Sequence, residues 1–366
     1  MAGIAQRIAL YREDDGTTHE VEWPLTAKVD LESMRKDLGV PEYVDMKYFP
    51  MQRAVVSLWA ARNAQRLHEL FPSVFHAKVA SEPIDLALFG GGAIKLRCPS
   101  SNRNGAPFFR ELNDLDLIAA KRHVREANRV FLKLGEAFGS QFIHFLTRLD
   151  KTFNALRVAK RFRYHVIDDV TDKGPVVGVL DLLVDFIEMR HRIDCRPDLN
   201  RIKDEHHTIS LNNLLLSKCQ YILEAPTDVV PKMEEDGQTY RILQYPTYRS
   251  GHVIVGMELK DLIDVSALIY DHEIGTGQDR IDPDRIVETL RRDEKMRLTI
   301  RLNLENLRNR VDILRSFGAG DEEIQVVSQR LSKILEAIPQ VEKKFTKPWW
   351  EEAIDTPVTF WDSSTS

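Results

Sequence analysis

The sequence predicts an α/β fold of the α+β kind, a mixed sheet core with helical segments before and after it. Three observations predict it. Residues 84–89, IDLALF, form a short apolar strand pattern that runs directly into Gly90, Gly91 and Gly92 and then into AIKLR, a helix start. Residues 112–120, LNDLDLIAA, set Leu115 and Leu117 in alternation against Asp114 and Asp116, as in a second strand. The runs RYHVIDDV and VVGVLDLLVDFIEM flank the turn-forming TDKGP and read as a hairpin whose second strand has the Val, Leu and Ile content of a central one.

From Asp30 to Phe75 apolar residues recur at helical spacing, punctuated by Pro41, Pro50 and Pro72, so residues 1–75 are assigned to a helical N-terminal extension. The core follows over 76–196. Within it SSNRNGAPFFR at 100–110 is a polar loop, and the pattern from Lys121 to about Lys160 is helical again. Beyond Asp198 the segments LNNLLLSKCQYILEA and MELKDLIDVSALIYDHE and the charged amphipathic stretch from Pro283 to Val341 predict a helical C-terminal domain over 197–366. The tail TPVTFWDSSTS is polar at its end, while Trp349, Trp350 and Trp361 predict that the chain before it docks on the body.

With 366 residues, 43% of them apolar, the chain can bury a sizeable core. Its formal charge of -5 gives no overall basic field, so a nucleic-acid partner would have to meet a local patch. Cys98, Cys195 and Cys219 lack CxxC spacing and fit a reducing compartment better than a disulfide scaffold or zinc site. The start, MAGIAQRIALYRED, is charged too soon for a secretory signal, and no run approaches the roughly 20 apolar residues of a membrane span. The expectation is a cytoplasmic protein with no membrane role.

Asp114 and Asp116, at i and i+2 on a strand, point the same way about 7 Å apart, which suits shared coordination of a divalent cation by oxygen. Phosphoryl and nucleotidyl transfer need such clustered carboxylates. The glycines add a turn whose N–H groups can approach phosphate at the positive end of a helix. Taken singly, a glycine turn also suits any tight strand-to-helix junction, and acidic pairs are common on surfaces; the order of the elements carries the argument. For a third acid the candidates are Asp181 and Asp185, about 13 Å apart along one strand face and so unable to share one site. Asp181 is favoured because it lies inside the apolar run, where an unpaired carboxylate is costly. The competing assignment is a buried ion pair.

The ordered set FGGGAIKLRCP, RELNDLDLI, VLDLLVDFIEMRHRID, TISLNNLLLSKCQYI and ELKDLIDVSALIYDHE resembles the bacterial nucleotidyltransferases of the DNA polymerase β superfamily, nearest the branch of abortive-infection nucleotidyltransferase toxins, over roughly Ile84 to Glu273. The resemblance implies a nucleotidyltransferase-fold core, Mg²⁺ or Mn²⁺ held by Asp114, Asp116 and Asp181, and a nucleoside triphosphate such as ATP as substrate. It implies nucleotide contacts from Gly90, Gly91, Gly92, Arg110 and Lys218, and more weakly from Lys260, which lies in a segment with Asp261 and Asp264. Gly92 stands where the family carries Thr, Ser or another small residue, so a hydroxyl contact to phosphate is lost there. His191, in MRHRID with Arg190 and Asp194, is read as a local hydrogen-bonding residue, because this chemistry relies on metal and carboxylate.

The resulting expectation is transfer of a nucleoside monophosphate from a triphosphate to a hydroxyl of RNA, protein or a small molecule, with pyrophosphate released, Asp114, Asp116 and Asp181 being the catalytic residues and Asp181 helping to deprotonate the acceptor hydroxyl. The rival is a catalytically silent nucleotide-binding or interaction module, such as the toxin-like partner of an antitoxin. A nuclease using the same carboxylates leaves the glycines unexplained. The basic run Lys151, Arg157, Lys160, Arg161 and Arg163, interleaved with Phe153, Phe162 and Tyr164, suits either an RNA backbone or a solvated face.

Overall fold

The computed structural model describes residues 6–12, 18–23, 31–46, 49–102, 104–112, 114–134, 137, 160–171, 174–201, 207–228, 240–277 and 279–352. The chain divides into two compact units, Met1–Ile187 with Asp194–Ser210, and Glu188–Ile193 with Leu211–Ser366. Its class is mixed α/β, with helices and both antiparallel and parallel strand pairs.

The first unit opens with an antiparallel pair, β1 (Gln6–Arg12) and β2 (Thr18–Trp23). These strands depart from the expected helical extension over 1–75. In the sequence, the polar, glycine-bearing EDDG between two alternating runs is a hairpin signal that the helical spacing farther on, from Asp30, overshadowed. Helices do occupy Leu31–Asp37, Phe49–Arg62 and Leu67–Leu70, and Met51, Ala54, Val55 and Leu58 are buried.

The core sheet is built from β3 (Leu86–Phe89), β4 (Asp114–Ala119), β5 (Arg161–Thr171) and β6 (Gly174–Val184), in the order β3-β4-β6-β5. β4 runs antiparallel to β3 and parallel to β6, while β5 and β6 form the antiparallel hairpin that TDKGP predicts. Leu86, Leu88, Leu115, Leu117, Leu180 and Leu182, all at most 2% exposed, alternate onto one face of the sheet. Tyr164 lies on this face too, its hydroxyl bonded to Asn128 and its ring edge-on to Phe131 at 5.9 Å. The outer side of β3 is covered by a bridge from Leu88 to Thr208. Of the helix expected between Lys121 and Lys160, Val124–Phe131 is present, and residues 138–159, which include Lys151, Phe153 and Arg157, lie outside the described residues.

The chain passes through two short strands, β7 (Phe186–Glu188) and β8 (Arg192–Asp194), before the second unit resumes. There helices Leu211–Cys219, Leu259–Asp271, Pro283–Leu290, Glu294–Asn309 and Asp321–Ala337 accompany a sheet of β9 (Leu223–Pro226), β10 (Tyr240–Leu243) and β11 (His252–Glu258), ordered β10-β11-β9. The mostly helical segment expected over 197–366 thus also contains a three-stranded sheet. Its central strand is signalled by the β-branched run VIV at 253–255, which the strong helical patterns on either side mask. Asn303 ties helix to sheet: its Nδ2 donates to the carbonyls of Cys219 and Tyr221, both at 2.7 Å, and its Oδ1 accepts Met257 N–H at 3.0 Å. Trp349 and Trp350, each 1% exposed, pack with Ile222, Leu243, Ile254 and Leu298, as the docking expectation required. Trp361 lies outside the described residues.

Candidate active site

The carboxylates of the first unit are aligned by strand register. Asp116 on β4 is the direct partner of Asp181 on β6, and Asp181 is in turn the direct partner of Arg163 on β5. Direct partners project to the same side of a sheet, as do residues two apart, so Asp114, Asp116, Asp181, Arg161 and Arg163 share one face. That face is apolar and closed at its other end, where Ala87, Ile118 and Leu183 are buried. Along it exposure changes steeply: Asp114 is exposed, Asp116 half-buried and Asp181 1% exposed.

The glycine turn reaches the same point from the neighbouring strand. Phe89, the last residue of β3, pairs with Asp116, and Gly90 then opens the helix Gly90–Arg97. Gly90 has φ +64°, and a Cβ there would overlap the Asp116 carboxylate, so glycine is demanded both by the backbone and by the acid beside it. At Gly91 a Cβ would strike the Arg110 guanidinium and Leu112, whereas Gly92 packs toward Leu115 and Leu88 beneath the sheet. Arg110 donates from Nη1 to the Glu111 carbonyl at 2.8 Å. The helix has no side-chain N-cap bond and no acid in its first turn, which keeps its positive end toward the carboxylate face.

Asp181 is held by arginine. Arg163 donates from Nε to Oδ1 at 3.0 Å and from Nη2 to Oδ2 at 2.9 Å, a bidentate pair, and Arg161 Nη2 adds a second cation at Oδ2. Burial alone would raise the Asp181 carboxyl; the Arg163 hydrogen bonds and the charges of Arg161 and Arg163 outweigh it and hold the group below the usual carboxylate range. The buried-ion-pair assignment weighed above is therefore what the side chains display. Arg161 and Arg163 remain 29% and 32% exposed, so the pair faces outward while the acid beneath them does not.

The other candidates have local partners. Asp185, at the strand's end with φ +60°, accepts the Lys121 N–H at 2.9 Å and serves as a backbone cap. Asp194 is bound bidentately by Arg196, at 2.9 and 2.6 Å. In the second unit Lys218 lies between Asp261 at 2.9 Å and Asp264 at 2.8 Å with its side chain 11% exposed, and the more exposed Lys260 pairs with Glu258 at 2.9 Å. His191 is a buried hydrogen-bonding residue, its Nε2 at 2.9 Å from Thr299 Oγ1 and its backbone N–H donating to Gln220. Arg190 donates to the Trp350 carbonyl at 2.7 Å.

Among the described residues, no group of three His, Cys, Asp or Glu side chains is arranged to hold a metal ion. Asp114 and Asp116 do fit a divalent cation: both are oxygen donors on one face at its open end, beside a glycine turn. Asp181 joins them only by leaving its arginines. Sequence reading missed this arginine clamp, which exists only through the strand register that sets Arg163 opposite Asp181. No protein-family model matches the chain, and no curated protein sequence is similar to it.

Proposed function

We propose that the chain is a divalent-cation-dependent nucleotidyltransferase of the DNA polymerase β-like kind, moving a nucleoside monophosphate from a triphosphate to a hydroxyl acceptor. The observation that carries this reading is the meeting of Gly90, Asp116 and Asp181, three positions spread over some 90 residues of sequence, at one point of the sheet through direct register and contact. Asp114 and Asp116 are the residues that would hold the cation. When bound, the cation neutralises phosphate charge and acidifies the attacking hydroxyl. The first-turn N–H groups of the glycine helix and the Arg110 guanidinium are the groups that would orient the triphosphate. The acceptor oxygen bonds to the α-phosphorus, the bond to the bridging oxygen breaks, pyrophosphate leaves, and the hydroxyl proton passes to water. Asp181, held acidic by two guanidiniums, is a poor proton acceptor and is assigned no such task.

The same clamp favours one second reading, a module that binds nucleotide without transferring it, because an arginine-saturated third acid is not a metal ligand. Incubation with α-labelled triphosphates, Mg²⁺ or Mn²⁺ and mixed RNA and protein acceptors separates the two. Transfer by the wild type, reduced on the order of 10²-fold in Asp116→Ala, supports the enzyme. Nucleotide binding with no transfer supports the silent module, and transfer unaffected by Asp114→Ala and Asp116→Ala refutes the site.

A further inference from the structure

We propose that the second unit carries a docking surface for single-stranded nucleic acid, built from the rings of Tyr245, Tyr248 and Phe345 and the ammonium groups of Lys344 and Lys347. The loop after β10 and the segment before Trp349 meet at this place, where the Tyr248 hydroxyl donates to the Phe345 carbonyl at 2.6 Å. The three rings are set against the buried tryptophan pair. Tyr245 and Phe345 lie 5.3 and 5.1 Å from Trp349, and Tyr248 lies 5.6 Å from Trp350. Tyr248 is 38% exposed and Tyr245 and Phe345 are partly buried, whereas the tryptophans are closed to solvent. The loop is fixed too, because Glu224 Oε1 accepts the N–H groups of Tyr248 and Arg249 at 2.8 and 3.0 Å. Rings already held in place lose little freedom when a base stacks on them, and every base offers a π-face.

Charge completes the surface. The chain as a whole carries -5, yet residues 341–347, VEKKFTK, set three lysines around Phe345 against the single acid Glu342. Lys343 is engaged, its Nζ 3.5 Å from Glu294 and 5.7 Å from the Phe345 ring centre. Lys344 and Lys347 are exposed and, among the described residues, have no ion-pair partner. Rings interleaved with free cations match a single strand, whose unpaired bases can stack while its phosphates meet the lysines. A lipid surface fits less well, since it takes up tryptophan and aliphatic side chains. Both tryptophans here are buried, and Ile242, the exposed aliphatic residue of β10, pairs with Val255 on the other face of that sheet.

The surface lies wholly within the second unit and does not rest on the nucleotidyltransferase reading, so binding alone tests it, with neither triphosphate nor divalent cation. Fluorescein-labelled dodecauridylate is titrated with the full chain in EDTA and followed by anisotropy between about 50 and 200 mM salt. The wild type should bind with an affinity that falls with salt. Lys344→Gln/Lys347→Gln, altered only at exposed side chains, should flatten the log–log salt slope by about 1.4, two phosphate contacts at roughly 0.7 each. Tyr248→Leu should weaken binding by about 10-fold at an unchanged slope, the effect of losing one stacked base. Tyr248→Phe keeps the ring and gives up the bond to Phe345, and should stay within about 2-fold of the wild type, which separates stacking from loop structure. No binding at about 50 mM salt, a slope unchanged in the lysine variant, an affinity unchanged in Tyr248→Leu, or equal binding of a duplex of the same length overturns the proposal. Binding to phosphatidylserine vesicles in place of the oligonucleotide overturns it in favour of a lipid surface.

Discussion

Gly90→Ala tests the junction on which the site depends. Two costs are expected there. Placing a Cβ at φ +64° costs about 1–2 kcal/mol, because the left-handed region crowds Cβ against the carbonyl. The new methyl also overlaps the Asp116 carboxylate, which must rotate aside, adding ~0.5–1.5 kcal/mol if it leaves its rotamer well. Gly39 is the matched control, with the same φ of +64° and nothing within 4 Å of an added Cβ, so Gly39→Ala carries the backbone cost alone. Urea melts of both variants should therefore differ by the carboxylate contribution. In the double-mutant cycle of Gly90→Ala with Asp116→Ala the two changes should couple favourably by about 0.5–1.5 kcal/mol, since removing the carboxylate relieves the overlap. Mn²⁺ binding followed by paramagnetic relaxation should weaken in Gly90→Ala and not in Gly39→Ala. Equal destabilisation of the two alanine variants, additivity in the cycle and unchanged Mn²⁺ affinity together would refute the claim that Gly90 and Asp116 form one structural unit.

Lys218→Met leaves Asp261 and the 3%-exposed Asp264 facing each other without their shared cation and should cost about 3–5 kcal/mol in denaturant melts of the second unit. Unchanged melts with a selective loss of nucleotide affinity would assign the lysine to phosphate instead. Thr299→Val removes the hydroxyl that accepts from Trp349 Nε1 and pairs with His191 Nε2, both at 2.9 Å, and should cost about 2–4 kcal/mol, read as a lower melting temperature and a red-shifted tryptophan emission. Burial works against the Asp293 carboxylate, yet the His191 hydrogen bond and the Met296 N–H hold its pKa below the ordinary aspartate value. Its stabilising contribution is thus fully present above the ordinary value near 4 and is lost as pH falls through the lowered folded value, so the stability deficit of Asp293→Asn should shrink as pH drops from about 5 toward 2. A deficit constant over that range would contradict the assignment.

The elements nearest the candidate site were legible because their signals are local. The apolar run, the three glycines and the alternation around Asp114 and Asp116 each reflect one strand or turn, and β3, β4 and the β5-β6 hairpin form where those patterns lie. The arginine clamp was not legible, and the reason is a single residue. Near its turn the hairpin pairs Thr171 with Gly174 and Asp169 with Val176, and extending that register would set Tyr164 opposite Asp181 and turn both arginines to the opposite face. An irregularity between Ile167 and Asp169 shifts the pairing by one and brings Arg163 opposite the acid. Nothing in the composition of RYHVIDDV announces that bulge. Lys218 failed to declare its partners for a related reason: Asp261 and Asp264 lie 43 and 46 residues away on another helix, and helical spacing shows only that these acids share a side of their own helix.

The clamp also changes what the acidic face can bind unaided. Asp114, Asp116 and Asp181 against Arg161 and Arg163 leave one formal negative charge among these five groups, so together they offer a triphosphate no net attraction. Local donors can orient the phosphates, but the charge of Asp114 and Asp116 must first be neutralised for them to stay. Nucleotide affinity should accordingly fall at least ~10-fold when Mg²⁺ is replaced by EDTA, the effect of leaving about one charge–charge contact unfavourable. Asp114→Asn/Asp116→Asn should abolish most of that cation dependence by removing the repulsion itself, binding ATP in EDTA more tightly than the wild type. If the double variant binds ATP in EDTA no better than the wild type, the two carboxylates do not face the phosphates, and the triphosphate, if bound at all, lies elsewhere on the chain.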